Sequence, residues 1–156
     1  MLLTLAVALA LPSFTIRADQ AIGPLRVGSA TPAHAGAAYG APSALRRSGT
    51  SCTGRWHGPS LSLGFLSFDA NPCASGILVR AVATDRRWRT NRGLRIGDSR
   101  ARLRSLYPGA KAHRDGWWLV TRHACAEVGG QAFPGLLARM GHRRVAGFVV
   151  TAGVCD

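Results

Sequence analysis

The sequence predicts an α+β protein of two tandem modules, each a short helix followed by an antiparallel β-meander, packed as one small domain. Three observations carry that expectation: a phrase that occurs twice, strand-like runs after each copy, and an even set of cysteines split between the halves. Gly23-Pro24-Leu25-Arg26-Val27-Gly28 lies over Arg92-Gly93-Leu94-Arg95-Ile96-Gly97, and both read as a short strand ending on glycine. With one extra residue allowed in the first copy, Thr31 falls on Ser99 and Tyr39 on Tyr107, a repeat of about 68 residues. The expected units are then 1–18 as a signal peptide, 19–91 as the first module and 92–156 as the second.

The elements follow in order. Thr31 and Ser99 are N-cap residues, and Pro32 suits the first helical position because its missing N–H would be unpaired there anyway. The first helix, Pro32 to Tyr39, is mostly alanine and weakly patterned. In the second, Leu103, Leu106 and Tyr107 recur on one buried face, while Arg100, Arg102, Arg104 and Ser105 take the wet side. Strand-like runs then cover Cys52 to His57, Leu61 to Phe68 and Ile77 to Thr84 in the first half. The second half offers Trp117 to His123, Leu136 to Met140 and Val145 to Thr151. Pro59-Ser60 and Ala70-Asn71-Pro72 serve as turns. Gly141-His142 reads as a tight hairpin turn in which the glycine supplies a positive φ.

Leu2 to Leu11 is Leu, Ala and Val apart from Thr4, and Pro12-Ser13 ends the run. It suits the apolar region of a secretion signal and is too short to span a bilayer. Ala18 is the best available cleavage position. The four cysteines, Cys52, Cys73, Cys125 and Cys155, contain no C-x-x-C pair, and in an exported chain they read as two disulfides. Each half owns two, so Cys52–Cys73 and Cys125–Cys155 would staple the modules separately, with cross-module pairing as the alternative.

The Gly93-to-Ser99 segment, followed by an amphipathic helix ending in Tyr107, resembles a phrase of exported actinobacterial proteins of unknown function. Two tandem copies, each with its own disulfide, resemble the architecture of the secreted β-lactamase inhibitor protein family. The single repeat also resembles small lipoproteins of the outer-membrane assembly machinery. The likeness implies the layout and an inhibitor-like role, and it carries over no functional residue.

Reactive groups are sparse. Glu127 is the only glutamate beside six Asp, and no nucleophile elbow, H-E-x-x-H, Walker loop or dinucleotide fingerprint occurs. No cofactor or metal is expected, since the five histidines lack ligand spacing and His123-Ala-Cys125 needs a reduced thiol. A small basic secreted nuclease built on His57 or His123 with Glu127 is the enzymatic alternative.

Binding has better support. Trp117 and Trp118, adjacent in a strand, must point to opposite faces, so one of them lies on the uncovered face. Trp56, between Arg55 and His57, is the counterpart in the first half. Twenty Lys plus Arg stand against seven Asp plus Glu, a formal +13, and every one of the basic residues but Lys111 is arginine. Codon usage accounts for part of that bias. The densest stretch is the connector with Arg86, Arg87, Trp88 and Arg89, where Arg interleaved with Trp suits an anionic group. The sequence therefore reads as a secreted, monomeric, non-enzymatic binding or inhibitor-like protein. Its partner is an unknown protein or an anionic envelope polymer, with no specific nucleic acid and no transmembrane segment after signal removal. An envelope component held by charge alone is the remaining alternative.

Overall fold

The computed structural model describes residues 13–18 and 20–153, so the apolar run Leu2–Leu11 lies outside it. Three short strands open the fold, β1 (Thr15–Arg17), β2 (Ala21–Ile22) and β3 (Leu25–Arg26), followed by helix α1 (Pro32–Tyr39). Next come β4 (Ala44–Ser48), β5 (Ser51–Trp56), β6 (Leu61–Leu66), the one-turn helix α2 (Pro72–Ser75) and β7 (Ile77–Ala83). The chain continues through β8 (Arg89–Thr90), α3 (Arg100–Leu106), β9 (Lys111–His113) and β10 (Gly116–His123). A 3-10 turn (Ala126–Val128), β11 (Ala132–Gly141) and β12 (Arg144–Thr151) complete it. The described chain is thus mostly β with three short helices.

Two sheets form. The larger has the order β4-β5-β6-β7-β12-β11-β10-β9, and the smaller β3-β2-β1-β8. Every neighbouring pair of the larger sheet is antiparallel. The meander β4–β7 and the meander β9–β12 therefore meet through their last strands, β7 against β12. The last strand of the first meander thus does not pair with the first strand of the second.

Local contacts in the two halves correspond. Gly28 and Gly97 share a φ of 98°, a conformation that glycine adopts without steric cost. The Gly28 N–H donates to the Leu78 carbonyl and the Gly97 N–H to the Val145 carbonyl, each at 2.7 Å. In return the Leu78 N–H donates to Ala30 and the Val145 N–H to Asp98. Both helices are capped as expected: the Thr31 hydroxyl accepts from His34 N, and Ser99 accepts from Arg102 N. His34 also returns a bond, its Nδ1 accepting from Thr31 N at 3.1 Å.

The core lies between the larger sheet and a layer made of the helices and the smaller sheet. Trp88, Phe65, Phe148, Ile16, Leu94 and Leu103 are among its largest fully buried members. Ile16 pairs with Ile22 and with Thr90, so β1 belongs to the folded body. A cut after Ala18 would remove that strand. Gln20 donates to the Thr151 carbonyl at 3.1 Å and Arg122 to the Ala18 carbonyl at 3.0 Å, tying the two layers together.

Two local readings are revised. The hairpin between β11 and β12 turns on His142 and Arg143, with φ of 49° and 68°, while Gly141 pairs with Arg144 inside the ladder. Asn71, read as a turn residue, instead caps α2 by accepting from Cys73 N at 3.0 Å. That turn sets Cys73 beside β5, and Cys52–Cys73 is bonded with its Cα atoms 5.1 Å apart. Cys125 is also disulfide-bonded, and its expected partner Cys155 lies outside the described residues.

A 21-residue separation places the value of the Cys52–Cys73 link at about 3 kcal/mol in the chain-entropy account. Replacing both cysteines with alanine is expected to lower the unfolding free energy by that amount, measured by urea denaturation. A loss below about 1 kcal/mol would mean that the native packing, and not the link, holds α2 in place.

Tyr39 and Tyr107 are the chain's only tyrosines, and neither hydroxyl makes a hydrogen bond of ordinary geometry. Burial pushes the Tyr39 pKa up from 10.0 to about 12. Burial raises Tyr107 as well, outweighing the opposing pull of the Thr90 hydroxyl and the Arg92 charge. The unfolded chain therefore releases both protons first, and this contribution to stability is complete below pH 10 and lost as pH rises toward about 12. A tyrosinate absorbance titration should show no component at the ordinary phenol value until the protein unfolds.

Candidate functional site

Side-chain alternation divides the larger sheet into a core face and an open face. In β5, Cys52, Gly54 and Trp56 turn to the core, and Ser51, Thr53 and Arg55 turn away. Trp56 lies flat over Gly54, where an added Cβ would sit 2.6 Å from the ring. On the open face, register builds one row of directly opposed residues across all eight strands. It runs Ala44, Arg55, Ser62, Val82, Val149, Leu137, Trp118, Lys111. The centre of this row is apolar and both flanks are basic. Leu137 and Val149, 4% and 3% exposed, pack outside the core cluster. They belong to this face.

At the strand positions of the face the charge has one sign. A parallel row holds Arg46, Thr53, Gly64, Arg80 and Thr151. Arg139 stands opposite Gly147, on the far side of the apolar row from Arg80. No described strand carries an acidic residue. Burial lowers the Arg80 pKa, and the nearby Arg139 charge lowers it further. A depression of about 180 Å³ opens beside Arg80, with Thr53, Ser62 and Val82 in its walls.

Trp118 is the aromatic of this face. Its indole stacks on His113 with ring centroids 3.8 Å apart, and its Nε1–H donates to Asp115 at 3.0 Å. The half-buried ring is thus held in one orientation. Trp117 points the other way and packs partly on the core, lining a groove of about 670 Å³ with Ala101, Ser105 and Ala112. The pair therefore splits between the faces as alternation requires.

The other predicted binding residues fare differently. Trp56 is 4% exposed and its Nε1–H donates to the Gly40 carbonyl at 2.9 Å, so it is a core residue and not a surface anchor. Trp88 is fully buried, bonded to the Pro59 carbonyl at 2.8 Å and packed edge-on against Phe14. The interleaved aromatic of the connector is unavailable to a ligand. Arg87 is engaged with Asp85, with the Gly58 carbonyl and with the Phe14 ring. Arg86, Arg89 and His57 are exposed, but no aromatic surface accompanies the two arginines. Arg80 sits within β7.

The two histidines proposed as alternatives for acid–base chemistry lie far apart, and Glu127 stands in the 3-10 turn that follows His123. His57 follows β5 and His123 ends β10, five strand positions apart, or about 24 Å at ordinary spacing. The two strands also run in opposite directions, placing these ends at opposite rims of the sheet. No group of three or more His, Cys, Asp or Glu with metal-holding geometry occurs among the described residues. Compared with protein-family models, curated proteins and solved structures, the chain finds no match.

The two tryptophans of the flanking strands should separate by experiment. Trp56→Ala removes a core ring and is expected to cost about 3–5 kcal/mol. Trp118→Ala loses one ring stack and one exposed hydrogen bond, and should cost about 1 kcal/mol. Thermal or urea unfolding of both variants checks the ordering, and equal losses would place Trp118 in the core.

Proposed function

We propose that this chain is an exported, non-enzymatic binding protein of two tandem helix-plus-sheet modules, and that its open sheet face docks an acidic protein surface. One observation carries the reading: the partly exposed Val82 and Trp118 share an open-face row with the buried Val149 and Leu137, and the charged strand residues around that row, Arg55, Arg80, Arg139 and Lys111, are all basic, with Asp115 of the β9–β10 turn the acid bonded to Trp118. A buried aromatic and aliphatic centre with arginine around it is the composition that concentrates binding energy in protein interfaces. Shape supports it too, because a flat sheet surface suits a broad contact better than a small ligand.

The remaining parts rest on separate support. Oxidised Cys52, Cys73 and Cys125 fit an oxidising compartment. No helix among the described residues is long and apolar enough to cross a membrane. The matched glycine bonds and caps of the two halves favour duplication of one module.

The test is capture of partners from culture supernatant and envelope fractions on immobilised protein, at low and high salt. The expected outcome is a protein retained by the native chain, lost with Trp118→Ala and with Val82→Asp, and unaffected by Arg100→Ser on the outer side of α3. Capture that ignores both open-face changes but vanishes with salt would refute the reading in favour of a charge-held envelope component.

A further inference from the structure

We propose that the edge strand β9 accepts an extended acidic segment of another protein as a further strand of the larger sheet, with one apolar side chain of that segment seated in the groove beside Trp117. The site is separate from the open face, since it uses the rim of the sheet and its other side. β9 ends the larger sheet, and Lys111, Ala112 and His113 are all exposed. Register fixes which backbone groups are open. His113 and Gly116 flank the two-residue turn Arg114-Asp115 and form the hydrogen-bonded pair that closes the hairpin. Bonded and non-bonded pairs alternate along an antiparallel ladder, so Ala112 and Trp117 are the non-bonded pair. The Ala112 N–H and C=O therefore point away from β10. An antiparallel strand laid along β9 takes both bonds at one residue.

Alternation places the side chain of that incoming residue on the face of Ala112 and Trp117. There the groove of about 670 Å³ runs between β9 and α3, walled by Ala101, Ser105 and Pro108 with Arg104 beside them. These wall residues are exposed and Trp117 is half-buried, so a ligand side chain can touch them. Small walls on an aromatic floor suit an apolar group such as leucine. Charge selects its neighbour. In antiparallel register the residue after the apolar one lies opposite Lys111, on the Trp118 face, and opposite charges directly across a ladder attract. The same lysine opposes a second copy of this chain, whose own edge strands carry Arg46, Arg47 and Lys111. An apolar residue followed by an acid meets both requirements. Strand addition of this kind draws affinity from backbone bonds and selectivity from pockets for alternate side chains.

The probe is the acetylated, amidated peptide Thr-Thr-Leu-Glu-Thr, titrated into the full chain and followed by backbone and ring resonances. The Ala112 amide is expected to shift saturably and to exchange with solvent more slowly once bound, and the Trp117 ring should shift with it. Thr-Thr-Gly-Glu-Thr, which leaves the groove empty, should bind about tenfold more weakly. Thr-Glu-Leu-Thr-Thr, of equal charge, should bind about threefold more weakly because its carboxylate no longer lies opposite Lys111. Ala112→Pro removes the open N–H and no ladder bond, and Ala101→Phe fills the groove from an exposed helical position; each should weaken binding about tenfold. Unchanged binding in both variants would overturn the edge site. So would equal binding of the three peptides with shifts spread over Arg100 and Arg102, the mark of attraction by charge alone. Val82→Asp, which disables the open face, should leave peptide binding intact. Peptide binding lost in that variant would put the peptide on the open face and overturn the proposal.

Discussion

The pairing of β7 with β12 is the contact on which everything else depends. Four opposed pairs, Phe148–Ala83, Val149–Val82, Val150–Ala81 and Thr151–Arg80, turn two meanders into one sheet. On the core side a large residue of β12 meets a small one of β7, so Phe148 and Val150 fit over Ala83 and Ala81 without a gap. On the other side Val82 and Val149 become the middle of the open face. A slip of one residue would exchange the two sets, sending Phe148 to solvent and Val149 inward. The joint that centres the core therefore also centres the candidate site, and neither can move without the other.

Charge placement follows from the same arrangement. A formal +13 works against compaction, yet the strands tolerate it because arginines sit at outward positions and keep their charged ends in water. At the sheet edges the charge has a second effect. β4 carries Arg46 and Arg47 and β9 carries Lys111, which blunt two otherwise open strands against pairing with another copy. The positive field that these residues set up reaches into solvent over a distance that salt shortens.

Much of the architecture was legible in the sequence. The caps at Thr31 and Ser99, the six longer strands, the opposite aims of Trp117 and Trp118, and the Cys52–Cys73 pairing all appear in the structure. What escaped had weak local signals. Strands β2 and β8 are two residues long, too short for any alternation, and β4 is exposed throughout because it lies at an edge; of the two phrases read as short strands, the first forms β3 and the second keeps only a bridge at Arg95. The site escaped for a different reason. Val82, Leu137 and Val149 look like core residues in any apolar strand, and only the strand order shows that they share the outer face. Trp56 could have been read correctly, since it shares parity with the disulfide-bonded Cys52 while Arg55 does not.

The arginine-rich connector and the open face pose the same question about what makes a positive charge useful. In the connector Arg87 is already satisfied, and its stacking on Phe14 helps close the loop over the buried Trp88. Arg86 and Arg89 stand in water, where an ion pair with a partner gains little. Arg80 and Arg139 are exposed as well, and they too pair with no acid among the described residues. A charge beside a dry surface interacts several-fold more strongly than one in bulk solvent. Density along the sequence therefore does not by itself separate an arginine that the fold has already satisfied, such as Arg87, from one that faces solvent.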